Sequence, residues 1–138
     1  MNSQQLTPFL EELDFEVPNE AENEVIAFLL AEWNLLKMEL ETLYRNRDQQ
    51  TTLQGMKKGI GLFIHFLYWS NDRQVNLKKL EPLDRIEMKP VNLEERLGFI
   101  IRRPNLFHSY RQLSELITEQ EKLFAKKSIV KKRLSQKG

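Results

Sequence analysis

Apolar residues recur at three- and four-residue steps along most of this chain, the spacing that gathers them on one face of an α-helix. From Ile26 the series runs through Leu29, Leu30, Trp33, Leu36, Leu40, Leu43 and Tyr44, which predicts a long amphipathic helix over residues 20–47. Asn19, after Pro18, is its expected cap, and Glu20 and Glu22 stand where the helix dipole favours acids. A polar stretch follows, in which Thr51 or Thr52 is the expected cap of a second helix over residues 53–70. There Met56, Ile60, Phe63 and Leu67 mark one side, while Leu62, Ile64, Phe66, Tyr68 and Trp69 fill the rest. A helix apolar nearly all round belongs in the middle of a bundle. Gly55 and Gly59 each weaken intrinsic helicity by up to about 1 kcal/mol, yet four residues apart they let a neighbouring helix approach closely.

Pro82 and Pro90 prevent any long regular element between residues 71 and 89. Asn92 with Glu95 three residues on forms a capping-box-like pair and opens a third helix over 92–102, with Leu93, Leu97, Ile100 and Ile101 on its apolar face. Pro104 forces Arg103 out of helical geometry. A last helix over 106–134 then carries Leu113, Leu116, Ile117, Leu123, Phe124, Val130 and Leu134. Gln120 and Lys127 interrupt that seam, so the final turns are expected to be less buried. No segment alternates apolar and polar residues with the turn chemistry of a hairpin. The expected fold is all-α: four main helices in a compact bundle, with an irregular segment between the second and third. Residues 1–18 read as an acidic arm and residues 19–138 as a single helical domain ending in a basic tail.

Length supports one core, since a chain of 138 residues buries roughly two thirds of its unfolded surface without crosslinks. The chain has no cysteine, which excludes disulfides, thiolate metal sites and a cysteine nucleophile. Neither a basic leader nor a long apolar stretch is evident, so a cytoplasmic protein that does not span a membrane is expected. Net charge is +1, but the two ends differ sharply. Residues 1–36 contain Glu11, Glu12, Asp14, Glu16, Glu20, Glu22, Glu24 and Glu32 and no Lys or Arg; after Glu121 come only bases, Lys122, Lys126, Lys127, Lys131, Lys132, Arg133 and Lys137. Such polarity serves an oppositely charged partner, or the two ends pair with each other or with water.

Candidate chemistry changes this picture little. No spacing dictates a reaction: the sequence lacks a Gly-rich phosphate loop, a metal-ligand His spacing and a nucleophile motif. No catalytic residue, metal site or cofactor is therefore assigned. His65, inside Phe63-Ile64-His65-Phe66-Leu67, reads as a packed core residue. His108 stands near the start of the last helix, close to Arg102, Arg103 and Arg111. Helix amino termini present free N–H groups and a positive dipole end, so these four residues are candidates for binding an anion or a nucleic-acid phosphate. The arginines serve equally to screen the carboxyl end of the preceding helix. Tyr68 and Trp69, at a helix end beside Arg73, are candidates for stacking on single-stranded bases.

Three stretches resemble one known family: Leu67-Tyr68-Trp69-Ser70-Asn71, Lys89-Pro90-Val91-Asn92-Leu93-Glu94-Glu95-Arg96-Leu97, and Arg103-Pro104-Asn105-Leu106-Phe107-His108-Ser109-Tyr110 with Gln112-Leu113-Ser114-Glu115-Leu116. Over residues 55–125 the chain is similar to the YpoC-like family of small proteins of Gram-positive bacilli. The resemblance implies a cytoplasmic bacterial helical domain and carries over no catalytic residue.

The function these features favour is a non-enzymatic interaction module that binds a protein partner or a second copy of itself. The alternative is an anion or nucleic-acid binder using Arg102, Arg103, His108, Arg111 and the basic tail. A small enzyme with His108 as acid or base comes third, because no orienting carboxylate is evident.

Overall fold

A computed structural model describes residues 22–75 and 80–137; the expected arm over 1–18 lies outside the described residues. Among the described residues there are four helices, α1 (Glu22–Arg45), α2 (Gln49–Ser70), α3 (Leu93–Arg102) and α4 (Phe107–Lys137), and one 3-10 turn at Leu83–Arg85. The fold is all-α.

α1 and α2 form a tight hairpin because one turn ends the first and starts the second. Arg47 adopts φ 56°, and its N–H and that of Asp48 reach back to the carbonyls of Tyr44 and Leu43, closing the exposed end of α1. Asp48 then caps α2, its Oδ1 accepting from the Thr51 N–H at 3.1 Å. The cap is thus Asp48, and Thr52 instead lies buried inside the helix. At the other end of α2, Asp72 takes φ 62°, and the N–H groups of Asp72 and Arg73 close on the carbonyls of Trp69 and Tyr68.

α2 is buried without interruption from Gly59 to Tyr68, which places it centrally against α1 and α4. A Cβ at Gly55 would meet Leu40 of α1 at 2.8 Å, and one at Gly59 would meet Leu113 of α4 at 3.0 Å and Trp33 of α1 at 3.1 Å. The two glycines therefore set the approach of both neighbouring helices. The core contains Trp33, Leu36 and Leu40 from α1, Ile60, Phe63 and Leu67 from α2, Leu97 and Ile100 from α3, and Leu113, Leu116 and Ile117 from α4.

The irregular connection is fastened by side chains of α2. Asn71 donates to the Met88 carbonyl at 2.8 Å and accepts from the Met88 N–H at 2.9 Å, while the Tyr68 hydroxyl donates to the Glu81 carbonyl. Leu83 and Ile86 are buried beneath it. Gln120 is fully buried rather than a break in the α4 seam, and its Nε2 donates to Ser70 Oγ at 2.7 Å and to the Met88 carbonyl at 3.0 Å. Lys127 likewise turns inward, with Nζ 2.7 Å from the Ser70 carbonyl and 3.0 Å from Asp72 Oδ2. A cation there satisfies the negative carboxyl end of α2. Gln120 and Lys127 interrupt the apolar pattern because the surface they meet is itself the polar end of a helix.

Asn92 precedes α3 but does not cap it through its side chain. Its φ is 56°, which aims the amide away from the first-turn N–H groups, so the capping box expected with Glu95 is not formed. Arg96 takes over the fastening of α3. Its guanidinium donates to the Val91 carbonyl at 3.0 Å and to Glu119 of α4 at 2.5 Å, and its Nε donates to Gln112 at 3.3 Å.

Candidate functional site

Phe107, the first residue of α4, stands where the chain returns to the carboxyl end of α1. Tyr44 secures that junction by sharing its single hydroxyl proton between the carbonyls of Pro104 and Leu106, at 3.2 and 3.1 Å. The Tyr44 ring meets Phe107 edge-on with centroids 5.4 Å apart, and Tyr110 lies 5.6 Å from Phe107 and 5.7 Å from Tyr44. Tyr110 donates in turn to Glu41 Oε1 at 2.7 Å. Burial pushes the Tyr44 hydroxyl up to about 12; Tyr110 is also raised, by burial first and then by the Glu41 carboxylate that accepts its proton. Both phenols are therefore neutral donors at physiological pH.

This aromatic trio floors two adjoining concavities. One, of about 320 Å³, has Lys37, Ser114 and Arg111 on its walls; the other, of about 400 Å³, is lined by Tyr44 and Arg45. Glu41 and Phe107 belong to both. Phe107 is 50 % exposed, a large apolar ring at the surface packed against Tyr44 and Tyr110. Met38, three residues before Glu41 on the same helical row, and Leu35, three before that, are also exposed. The result is an open groove with an aromatic floor and a rim of both signs, Lys37, Arg45 and Arg111 against Glu41 and Glu115.

The residues singled out in the sequence are placed unequally around this groove. Arg111 lines it. His108 instead lies edge-on against Phe99 of α3, with centroids 5.5 Å apart, and is exposed. Arg102 folds back over its own helix, its guanidinium 3.1 Å from where a Gly98 Cβ would stand. Arg103 is exposed, and its backbone carbonyl accepts from Ser109 Oγ at 2.6 Å. The Arg102 and His108 side chains both pack on α3. Tyr68 is buried with its hydroxyl engaged by the Glu81 carbonyl, so its ring is closed to a stacking base. Trp69 is half-buried against the core. His65 is buried. Among the described residues no group of three or more His, Cys, Asp or Glu side chains is arranged to hold a metal ion, and no helix is long and apolar enough to cross a membrane.

Sequence reasoning missed Phe107, Glu41, Lys37 and Tyr110 as a group. A signal existed in the Phe107-x-x-Tyr110 spacing straight after Pro104, but joining it to α1 required the tertiary fold.

The sequence profile of the YpoC-like protein family matches residues 23–132. The chain belongs to the YpoC-like family. The match takes in nearly all of α1 and most of the basic stretch of α4, beyond residues 55–125. A curated relative, "Uncharacterized protein YpoC" of Bacillus subtilis (strain 168), is 31 % identical over 120 residues, covering 86 % of this chain and 73 % of the relative. No solved structure matches. Within the Tyr68-to-Asn71 stretch that marks the family likeness, Tyr68, Ser70 and Asn71 are the side chains that fasten the irregular connection and α4 to α2, so this stretch is architectural.

Proposed function

We propose that the protein is a non-enzymatic helical module that binds a protein partner through the groove at the junction of α1 and α4. Phe107 carries this reading. Its ring is half exposed, yet Tyr44 and Tyr110 hold it in place, and an immobilised aromatic loses little conformational freedom on binding. Such rings, with arginines beside them, are the residues that dominate protein interfaces. The mixed-sign rim supports a protein surface over a polyanion, because phosphate binding gains from cations of a single sign. A cysteine-free chain suits a reducing cytoplasm as the place of the encounter.

Photo-crosslinking inside living cells tests this reading. With a benzophenone amino acid at Ser114, on the groove wall, irradiation is expected to give a discrete protein adduct. The adduct should vanish with Phe107→Ala or Arg111→Glu and persist with Gln54→Ala, on an exposed position of α2. No adduct, or one indifferent to Phe107, removes the proposal.

A further inference from the structure

The charges around the groove are unequally engaged. Both acids on its rim already meet a partner within the fold: Glu41 Oε1 accepts from the Tyr110 hydroxyl at 2.7 Å, and Glu115 lies 3.9 Å from the Arg96 guanidinium. The bases differ. Among the described residues no carboxylate oxygen comes within 4.0 Å of Lys37, Arg45 or Arg111. Lys58, Arg73 and Lys127, by contrast, each reach a carboxylate of the chain itself.

The placement of these bases has a definite pattern. Lys37, Glu41 and Arg45 stand four residues apart and share one row of α1, which sets the two bases about 12 Å apart along the helix axis. Arg111, one turn after Phe107 on α4, shares the first concavity with Lys37, and Arg45 borders the second. Phe107 lines both. An exposed aromatic ring thus has unpaired cations towards either end of the groove.

We infer that the groove takes an acidic segment of a partner protein, one in which carboxylates flank an apolar side chain; the inference rests on the reading of the groove as a protein-docking site. The apolar side chain covers Phe107, and the carboxylates reach Arg45 at one end and Lys37 with Arg111 at the other. A separation of about 12 Å between the carboxylates corresponds to two turns of a helix or about four residues of extended chain. Guanidinium groups suit carboxylates, which they bind through paired N–H donors. The same charges select against other occupants. A basic segment meets like charge, and a continuous phosphate backbone meets Glu41, which stands between Lys37 and Arg45 on their row.

Peptide display on the full chain tests the inference. Random peptides of about twelve residues, long enough to span the groove in either conformation, are selected on the wild type after depletion on Phe107→Ala. The selected peptides are expected to carry Asp or Glu on both sides of an aromatic or aliphatic residue. Their binding should weaken about ten-fold in Arg45→Glu/Arg111→Glu, and in the same direction but less in Arg45→Gln/Arg111→Gln, which is gentler on the fold. Lys126→Glu/Lys132→Glu makes the same change in net charge at exposed positions of α4 outside the groove. It should leave binding within about two-fold, because distant exposed charges are screened by salt. Phe107-dependent peptides that are neutral or basic overturn the acidic partner and leave the docking site standing. Equal losses in the two charge-reversed proteins do the same, since binding then follows net charge alone. Failure to select any Phe107-dependent peptide, with or without a short DNA bound at the same arginines, overturns both readings.

Discussion

Residues 107–124 and 127–134 belong to one continuous helix with one apolar periodicity, yet they live in different environments. In the first part Leu113, Leu116, Ile117 and Gln120 are fully covered; in the second, Val130 and Leu134 are exposed. Lys127, at the divide, still finds the carboxyl end of α2. The difference teaches that periodicity reports which face of a helix seeks a partner, while burial depends on whether another element reaches it. α2 ends at Ser70, and the cover ends with it.

The largest effect that this contrast predicts comes from Leu116→Ala, which should lower stability in urea by about 2–5 kcal/mol because a buried side chain is replaced by a cavity. Leu134→Ala, on the same face of the helix but exposed, should stay within about 0.5 kcal/mol, as surface substitutions do. Equal losses at the two positions would break the comparison.

Gln120→Ala comes next. It deprives Ser70 and Met88 of a buried donor, and a loss of about 1–3 kcal/mol is expected in denaturant unfolding. A neutral result would show that the polar contact is incidental to the α2–α4 packing. Lys127→Ala, which removes the cation from the end of α2, should cost about 1 kcal/mol, with the difference shrinking in salt.

The alkaline titration of the tyrosines leaves stability at neutral pH untouched and sharpens the comparison from the covered side. All three phenols of the chain, Tyr44, Tyr68 and Tyr110, are raised, mainly by burial, with Tyr44 and Tyr68 at about 12. An unfolded tyrosine ionises near 10, so the folded state disfavours the phenolate. The stabilisation linked to the neutral phenols is complete below pH 10 and is lost as pH rises from 10 towards 12. Tyrosinate absorbance of the native protein should therefore lag behind that of the chain in denaturant. A native titration centred near 10 would mean that these rings are open to water.

How far the sequence reached depends on the range of the interaction involved. Helix positions follow from spacing that any ten-residue window displays, and Gly55 with Gly59 announced a close approach because a missing Cβ has a local meaning. The caps were legible in kind but not in place. Asp48 won over Thr51 and Thr52 because the Arg47 turn puts its carboxylate over the free N–H groups, and Asn92 lost its expected role because a positive φ turned its amide away. The arginine and histidine cluster was legible as neighbours along the chain, but not that Arg102 folds over Gly98 and His108 packs on Phe99.

The sequence by itself determined an all-α chain, its four amphipathic helices, the centrality of the second and the family to which it belongs. These rest on the 3.6-residue period and on short motifs, both of which are local. Tertiary structure alone decided that Gln120 and Lys127 face the polar end of α2, that Tyr68 is closed off, and that Tyr44, Glu41, Phe107 and Arg111 meet in one groove. Those outcomes join residues up to 70 positions apart, and contacts at that separation are fixed by which helix ends coincide in space, a quantity that no window of the sequence contains.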